Sequence, residues 1–151
     1  MHQFNDPVPT PAPSHLLGSV DYYQFRYDDF TKRFPGKAPP AYYMAYGDKY
    51  VRKFTDELYE KLSEEGKLWM EDTRLKLQQE IEHKLSEEPA IELDEEAFKE
   101  FAFGSHARVY EETHAMELCL ADKTSLVACM DVKDLFGELG LQVIKVALKI
   151  S

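Results

Sequence analysis

Ser63-Glu64-Glu65-Gly66-Lys67-Leu68-Trp69-Met70-Glu71-Asp72-Thr73-Arg74-Leu75-Lys76-Leu77-Gln78-Gln79-Glu80-Ile81-Glu82-His83-Lys84-Leu85-Ser86-Glu87 is the stretch that decides the fold. Ser63 offers a side-chain oxygen suited to an N-cap. Glu64 and Glu65 put negative charge in the first turn, where the helix dipole favours it. Met70, Thr73, Leu77, Ile81 and Leu85 then recur at steps of three and four, with Trp69 at one border of the stripe. The pattern predicts a helix over 64–87. Just upstream, Tyr43, Gly47, Tyr50, Phe54, Leu58 and Leu62 make another such stripe and predict a helix over 42–62. Almost no chain separates the two, so they are expected to fold back as a long antiparallel hairpin.

Downstream the elements shorten. Pro89 interrupts the pattern. Asp94 is placed to cap a short helix from Glu95 to about Phe103, with Phe98, Phe101 and Ala102 inward and Gly104 as its end. Ser105 then starts a helix over about 106–121 that buries Val109, Tyr110, Met116 and Leu120. Asp122 and Asp131 read as further helix starts. Residues 141–150 are rich in β-branched side chains, yet no second strand is evident to pair with them, and a helix is expected there. The expected fold is therefore all-α, a helical hairpin packed against a cluster of shorter helices over 41–151.

Upstream lies a different composition. Pro7, Pro9, Pro11 and Pro13 alternate with other residues and favour an extended, polyproline-like chain. Eleven of the nineteen aromatics fall between residues 22 and 54, a density that must cover something apolar, either the helical core or a partner. Residues 1–40 are thus expected to be a Pro-rich, aromatic N-terminal arm, with Tyr22, Tyr23, Phe25 and Tyr27 as its contact side chains.

Length and charge bound the function. The 151 residues carry a formal charge of −10, and residues 56–100 hold 16 acidic against 6 basic side chains, which accounts for all of it. Such a surface repels phosphate backbones and anionic membranes and suits a partner with a basic surface. Glu64, Glu65, Glu71 and Asp72 are its candidate contacts. Residues 26–53 carry seven basic and three acidic side chains among aromatics, a pattern that can bind single strands. Pairing of this basic half with the acidic second helix is the more economical use of it. No apolar run approaches the ~20 residues of a membrane span. The first residues lack a basic n-region and an apolar h-region, so a cytoplasmic location is expected, with signal-independent export left open. Cys119 and Cys129 have neither zinc nor thioredoxin spacing and read as buried free thiols.

Catalytic signatures are sparse. His106-Ala107-Arg108-Val109-Tyr110-Glu111-Glu112-Thr113-His114 puts two imidazoles on one expected helix, about 80° apart around it and ~12 Å along it. That is too far for a shared metal. His106, in the first turn, is disposed to be neutral and could act as a general base. Glu80/His83 and Glu111/His114 each match the Glu-x-x-His of di-metal bundles, but Glu80 and His83 lie off the apolar face. No phosphate-cradling loop, dinucleotide fingerprint or nucleophile elbow is present. No metal or cofactor is expected. Tyr46-Gly47-Asp48-Lys49-Tyr50 and Phe101-Ala102-Phe103-Gly104-Ser105-His106 loosely resemble stretches of small helical domains in bacterial effector systems. The expected function is a non-catalytic protein-interaction module of adaptor, inhibitor or immunity type, with self-association through the arm as a variant. The alternative is a small effector-like enzyme of hydrolase class, with catalytic residues His106, Glu111, Glu112 and His114.

Overall fold

A computed structural model describes residues 6–131. Among these the protein is all-α, with five α-helices linked by 3-10 and π-helical turns and no strand. Helix α1 covers Tyr22–Arg33. A continuous helical path follows, made of a π-helical segment Tyr43–Asp48, α2 at Lys49–Lys53, a second π-helical segment Phe54–Leu58 and a 3-10 turn Tyr59–Lys61. Helix α3 is Glu64–Glu87, α4 is Glu95–Glu112 and α5 is Leu120–Cys129. The short helix expected from Asp131 and the segment 141–150 lie outside the described residues.

The local signals at both ends of α3 are realised. Ser63 Oγ accepts from the Gly66 N–H at 3.0 Å, and Pro89 forces Glu88 out of helical geometry, to φ −139° and ψ 72°. Asp94 Oδ1 caps α4 by accepting from the Ala97 N–H at 3.1 Å. The expected break at Gly104 does not occur, and α4 runs through it to Glu112. A glycine in a helix interior costs only about 1 kcal/mol. The flanking Phe98, Ala102, Phe103, Ser105, His106 and Val109 are all buried and hold the turn in place. Ser105 caps nothing; its hydroxyl donates back to Ala102 O at 2.6 Å.

The helix expected over 106–121 is instead cut at His114, which takes the left-handed conformation (φ 59°, ψ 43°). A 3-10 turn at Ala115–Glu117 follows, and Met116 and Leu120 end up exposed rather than buried. Asp122 does not start a helix. It sits inside α5 and accepts from Ser63 N at 2.9 Å and Ser63 Oγ at 2.5 Å, tying α5 to the start of α3. Both thiols are free, but Cys119, the residue before α5, is exposed and Cys129 is half-buried.

The 42–62 expectation resolves into wider turns. Tyr43, Gly47, Tyr50, Leu58 and Leu62 are buried as the stripe requires, while Phe54 is half-buried. Adjacent Tyr42 and Tyr43 are both buried, which a single narrow helix face does not accommodate. The π-helical turns fall where these rings crowd together. Side chains link this path to α3, through Arg74 Nη1 donating to Thr55 Oγ1 (2.8 Å) and Tyr59 Oη donating to Glu71 Oε1 (3.2 Å).

Helix α1 packs mainly on Tyr43–Asp48. Gly47 makes that approach possible. A Cβ there would stand 2.5 Å from Tyr23 Cδ1, well inside contact distance. Gly47→Ala is therefore expected to cost about 1–3 kcal/mol of stability, read as a lower midpoint in urea unfolding. An unchanged midpoint would show that the Tyr23 ring yields freely.

Between α1, α3 and the 3-10 turn Pro89–Leu93 runs a chain of charges. Arg26, 1% exposed, reaches Glu82 at 3.2 Å and Asp29 at 3.4 Å. Arg33 bonds Asp29 at 2.8 Å and Glu92 at 2.7 Å. Tyr22 donates to Glu82 at 2.5 Å and Tyr43 to Glu92 at 2.7 Å. The proline segment closes this network from outside. Thr10 N donates to Asp29 (3.2 Å), Arg26 Nη2 to Thr10 O, and Ala12 N to Glu82 (2.8 Å). Gly18 N and Ser19 O are both held by Gln78 of α3.

Candidate functional site

The four residues of the enzyme reading are not brought together. His106 is 5% exposed and faces the core, whereas Glu111, Glu112 and His114 are exposed. His114 serves as the left-handed stop of α4 and lies 3.4 Å from Glu117. His106 is not at a helix start. It lies in the body of α4, so burial and not the dipole keeps it neutral, pushing its pKa from 6.5 down to about 4. Nδ1 stands 2.8 Å from Ala102 O and so carries the proton, which leaves Nε2 to accept from Tyr42 Oη at 3.3 Å. Glu80, half-buried, lies 3.7 Å from Arg108 of α4, and exposed His83 lies 3.2 Å from Glu87. Among the described residues no group of three metal-binding side chains converges.

The aromatic contact set also divides. Tyr22 and Tyr23 are core residues, because positions 22, 23, 26 and 30 form the inward face of α1. Phe25 is half-buried, with the Arg26 guanidinium 4.8 Å from its ring centre. Tyr27 is 36% exposed. Helix α1 therefore spends Tyr22 and Tyr23 on the fold and leaves Tyr27 in water.

Beside His106 is a cavity of about 70 Å³, bounded by the π-helical path, α3 and α4. That is less than half of the ~150 Å³ of an apolar cavity that accepts benzene. Tyr23, Tyr42, Tyr46, Tyr50, Trp69 and Tyr110 supply most of its wall. Burial raises the pKa of Tyr23, Tyr42 and Tyr110, so these are neutral phenols at any ordinary pH. At Tyr23 the nearby Tyr42 and Gln78 side chains and the charge of Arg74 offset part of that rise. Periodicity places Tyr50 and Tyr110 on apolar faces and Trp69 at the border of one, and carries no signal that these rings surround a space.

The acidic candidates behave differently. Glu64, Glu65, Glu71 and Asp72 are all exposed on the first half of α3. Between them stands Leu68, 67% exposed, a residue off the predicted apolar stripe. Steps of three and four bring residues onto one helix face, so these four carboxylates surround Leu68 on that face. Glu64 and Asp72 have lysine neighbours at 3.6 and 4.0 Å, and Glu71 accepts from Tyr59. The basic half pairs only partly with α3. Arg26 reaches Glu82, but Arg33 pairs with Asp29 and Glu92, Arg52 with Asp48 and Asp21, and Lys49 and Lys53 with Asp131.

No family model, no curated protein and no solved structure matches the chain. No helix among the described residues is long and apolar enough to cross a membrane.

Proposed function

We propose that this chain is a non-catalytic protein-interaction module, and that the outer face of α3 carries the contact. The observation behind this reading is Leu68, a large apolar side chain left in water at the centre of four carboxylates. Leu68 is two residues from Met70, about 200° around the helix, so it has no part in the core. An apolar anchor inside a charged ring matches the arrangement of an interface, where the centre is desolvated and the rim stays wet. The partner surface that fits it is an apolar hollow edged with lysine or arginine. The acidic rim would speed its approach and make binding sensitive to salt.

Deletion of residues 1–40 is a poor test, because it removes Tyr22, Tyr23 and Phe30 from the core. Two surface variants are better: Leu68→Glu, and the fourfold reversal of Glu64, Glu65, Glu71 and Asp72 to lysine. The wild-type chain, used as bait in its native lysate, is expected to retain a stoichiometric protein. Both variants are expected to lose it while unfolding as the wild type does. Equal recovery on either variant, or no stoichiometric protein on the wild type, overturns the reading.

A further inference from the structure

Pro7-Val8-Pro9-Thr10-Pro11-Ala12-Pro13 forms a strap across α1 and α3. Pro13 has polyproline dihedrals, φ −57° and ψ 142°. Proline has no N–H, so between Pro9 and Pro13 only Thr10 and Ala12 can donate from the backbone. Both donate to a carboxylate, Thr10 to Asp29 of α1 at 3.2 Å and Ala12 to Glu82 of α3 at 2.8 Å. The carbonyl of Thr10 accepts from Arg26. These receiving groups are set from inside the protein. Glu82 Oε2 is held by Tyr22 and Arg26, which leaves Oε1 for the strap, and Asp29 is held by Arg33. Side chains of the strap add little. Pro7, Thr10, Pro11 and Pro13 are exposed, and Val8 is 59% exposed. A segment held by backbone bonds with little apolar burial opens at low cost. Further along, buried Gln78 grips Gly18 N at 2.6 Å and Ser19 O at 3.1 Å, which fixes the entry to α1 independently of the strap.

We propose that Asp29, Arg26 and Glu82 form a recognition site for an extended segment of another protein with proline at every second position, and that residues 9–13 occupy it from within the same chain. Proline suits the site because it fixes φ, so the extended form exists before binding, and because it brings no idle N–H to the alternate positions. The two carboxylates and the guanidinium read the backbone and leave the residues between the prolines free to vary. A partner gains over the strap by burying side chains of the kind that Val8 leaves in water. A second copy of this chain offers only the contacts already made within the chain, so an exchange of arms gains nothing. Glu82 lies about 21 Å along α3 from Leu68, and the inference does not rest on the contact proposed there.

The probe is a dye-labelled peptide of residues 6–16, capped at both ends, titrated with the full chain and followed by fluorescence anisotropy. The strap is disabled in the full chain by Thr10→Pro together with Ala12→Pro, which removes both N–H donors and leaves Asp29, Arg26 and Glu82 in place. This variant is expected to unfold as cooperatively as the wild type. It is expected to bind the peptide about tenfold tighter than the wild type does, because the intramolecular competitor is gone. Methylation of the Thr10 and Ala12 nitrogens in the peptide is expected to abolish binding. Replacement of Pro7, Pro9, Pro11 and Pro13 in the peptide by alanine is expected to weaken it about tenfold. The proposal is overturned by the absence of saturable binding to the variant, or by equal affinity for variant and wild type. Equal affinity of the methylated or the alanine peptide also overturns it. So does a variant that fails to fold, since the strap is then part of the scaffold. A wild-type dimer that the variant does not form, read by sedimentation, would assign the site to a second copy and overturn the choice of partner.

Discussion

Glu92→Ala is expected to lower the unfolding free energy by about 3–5 kcal/mol, the cost of removing one partner from a buried ion pair. Glu92 is 3% exposed and holds both Arg33 Nη2 at 2.7 Å and the Tyr43 hydroxyl at 2.7 Å. Alanine leaves a guanidinium and a phenol short of an acceptor where the carboxylate was 3% exposed. Arg33 would keep Asp29, but Asp29 already serves Arg26 and Thr10. The total stability of a domain is only about 5–15 kcal/mol, so the loss is a large part of it. Thermal unfolding followed by circular dichroism is expected to fall by about 10 °C. Glu92→Gln keeps one acceptor and is expected to lose less. A loss below about 1 kcal/mol for Glu92→Ala would mean that water enters to replace the carboxylate.

Stability is also expected to fall as the pH drops from 6.5 towards 4, with His106 as the cause. Its pKa lies near 4 in the folded protein, below the ordinary 6.5. In that interval the unfolded chain binds a proton that the folded protein refuses, so acid favours unfolding. The contribution is full above 6.5 and is lost as pH falls to about 4, an amount on the order of 3 kcal/mol. The groups around the ring are neutral and cannot compensate: Tyr42 and Tyr110 stand edge-on to it, Phe103 is tilted against it, and Ala102 O takes its proton. Asp29 and Asp122 are held below the usual carboxylate range by their hydrogen bonds, so they act only at lower pH. His106→Phe is expected to flatten the dependence between pH 6.5 and 4 in urea unfolding. The same slope in that variant would assign the effect to another group.

The two predictions depend on residues that the sequence exposes very unequally. His106 stood out as a histidine near a glutamate pair, and its neutrality was expected. The expected cause, a helix start, depended on Gly104 breaking the chain, and tertiary packing on both sides of Gly104 overrode that local preference. Glu92 carried no signal at all. It sits in a run of acidic residues whose solvated members have the same chemistry, and only the docking of α1 separates it from them. Leu68 is an intermediate case. Its four acidic neighbours are legible at helical spacing, but whether a leucine is exposed depends on what else packs on that side of α3.

What the sequence by itself determined is what local physics controls. The period of Met70, Thr73, Leu77, Ile81 and Leu85, the cap at Ser63, the stop at Pro89 and the cap at Asp94 set α3 and the start of α4, because each acts within a turn or two of the backbone. The concentration of acid on residues 56–100 is equally a property of the chain alone. Tertiary structure decided the rest. It made a core helix of the aromatic stretch around Tyr22, turned Asp122 from a helix start into a clamp on Ser63, and widened the path at Tyr43–Asp48. It also gathered Arg74, His106 and the tyrosines around one cavity. These outcomes depend on contacts between residues tens of positions apart, and such contacts leave no periodicity in the sequence to read.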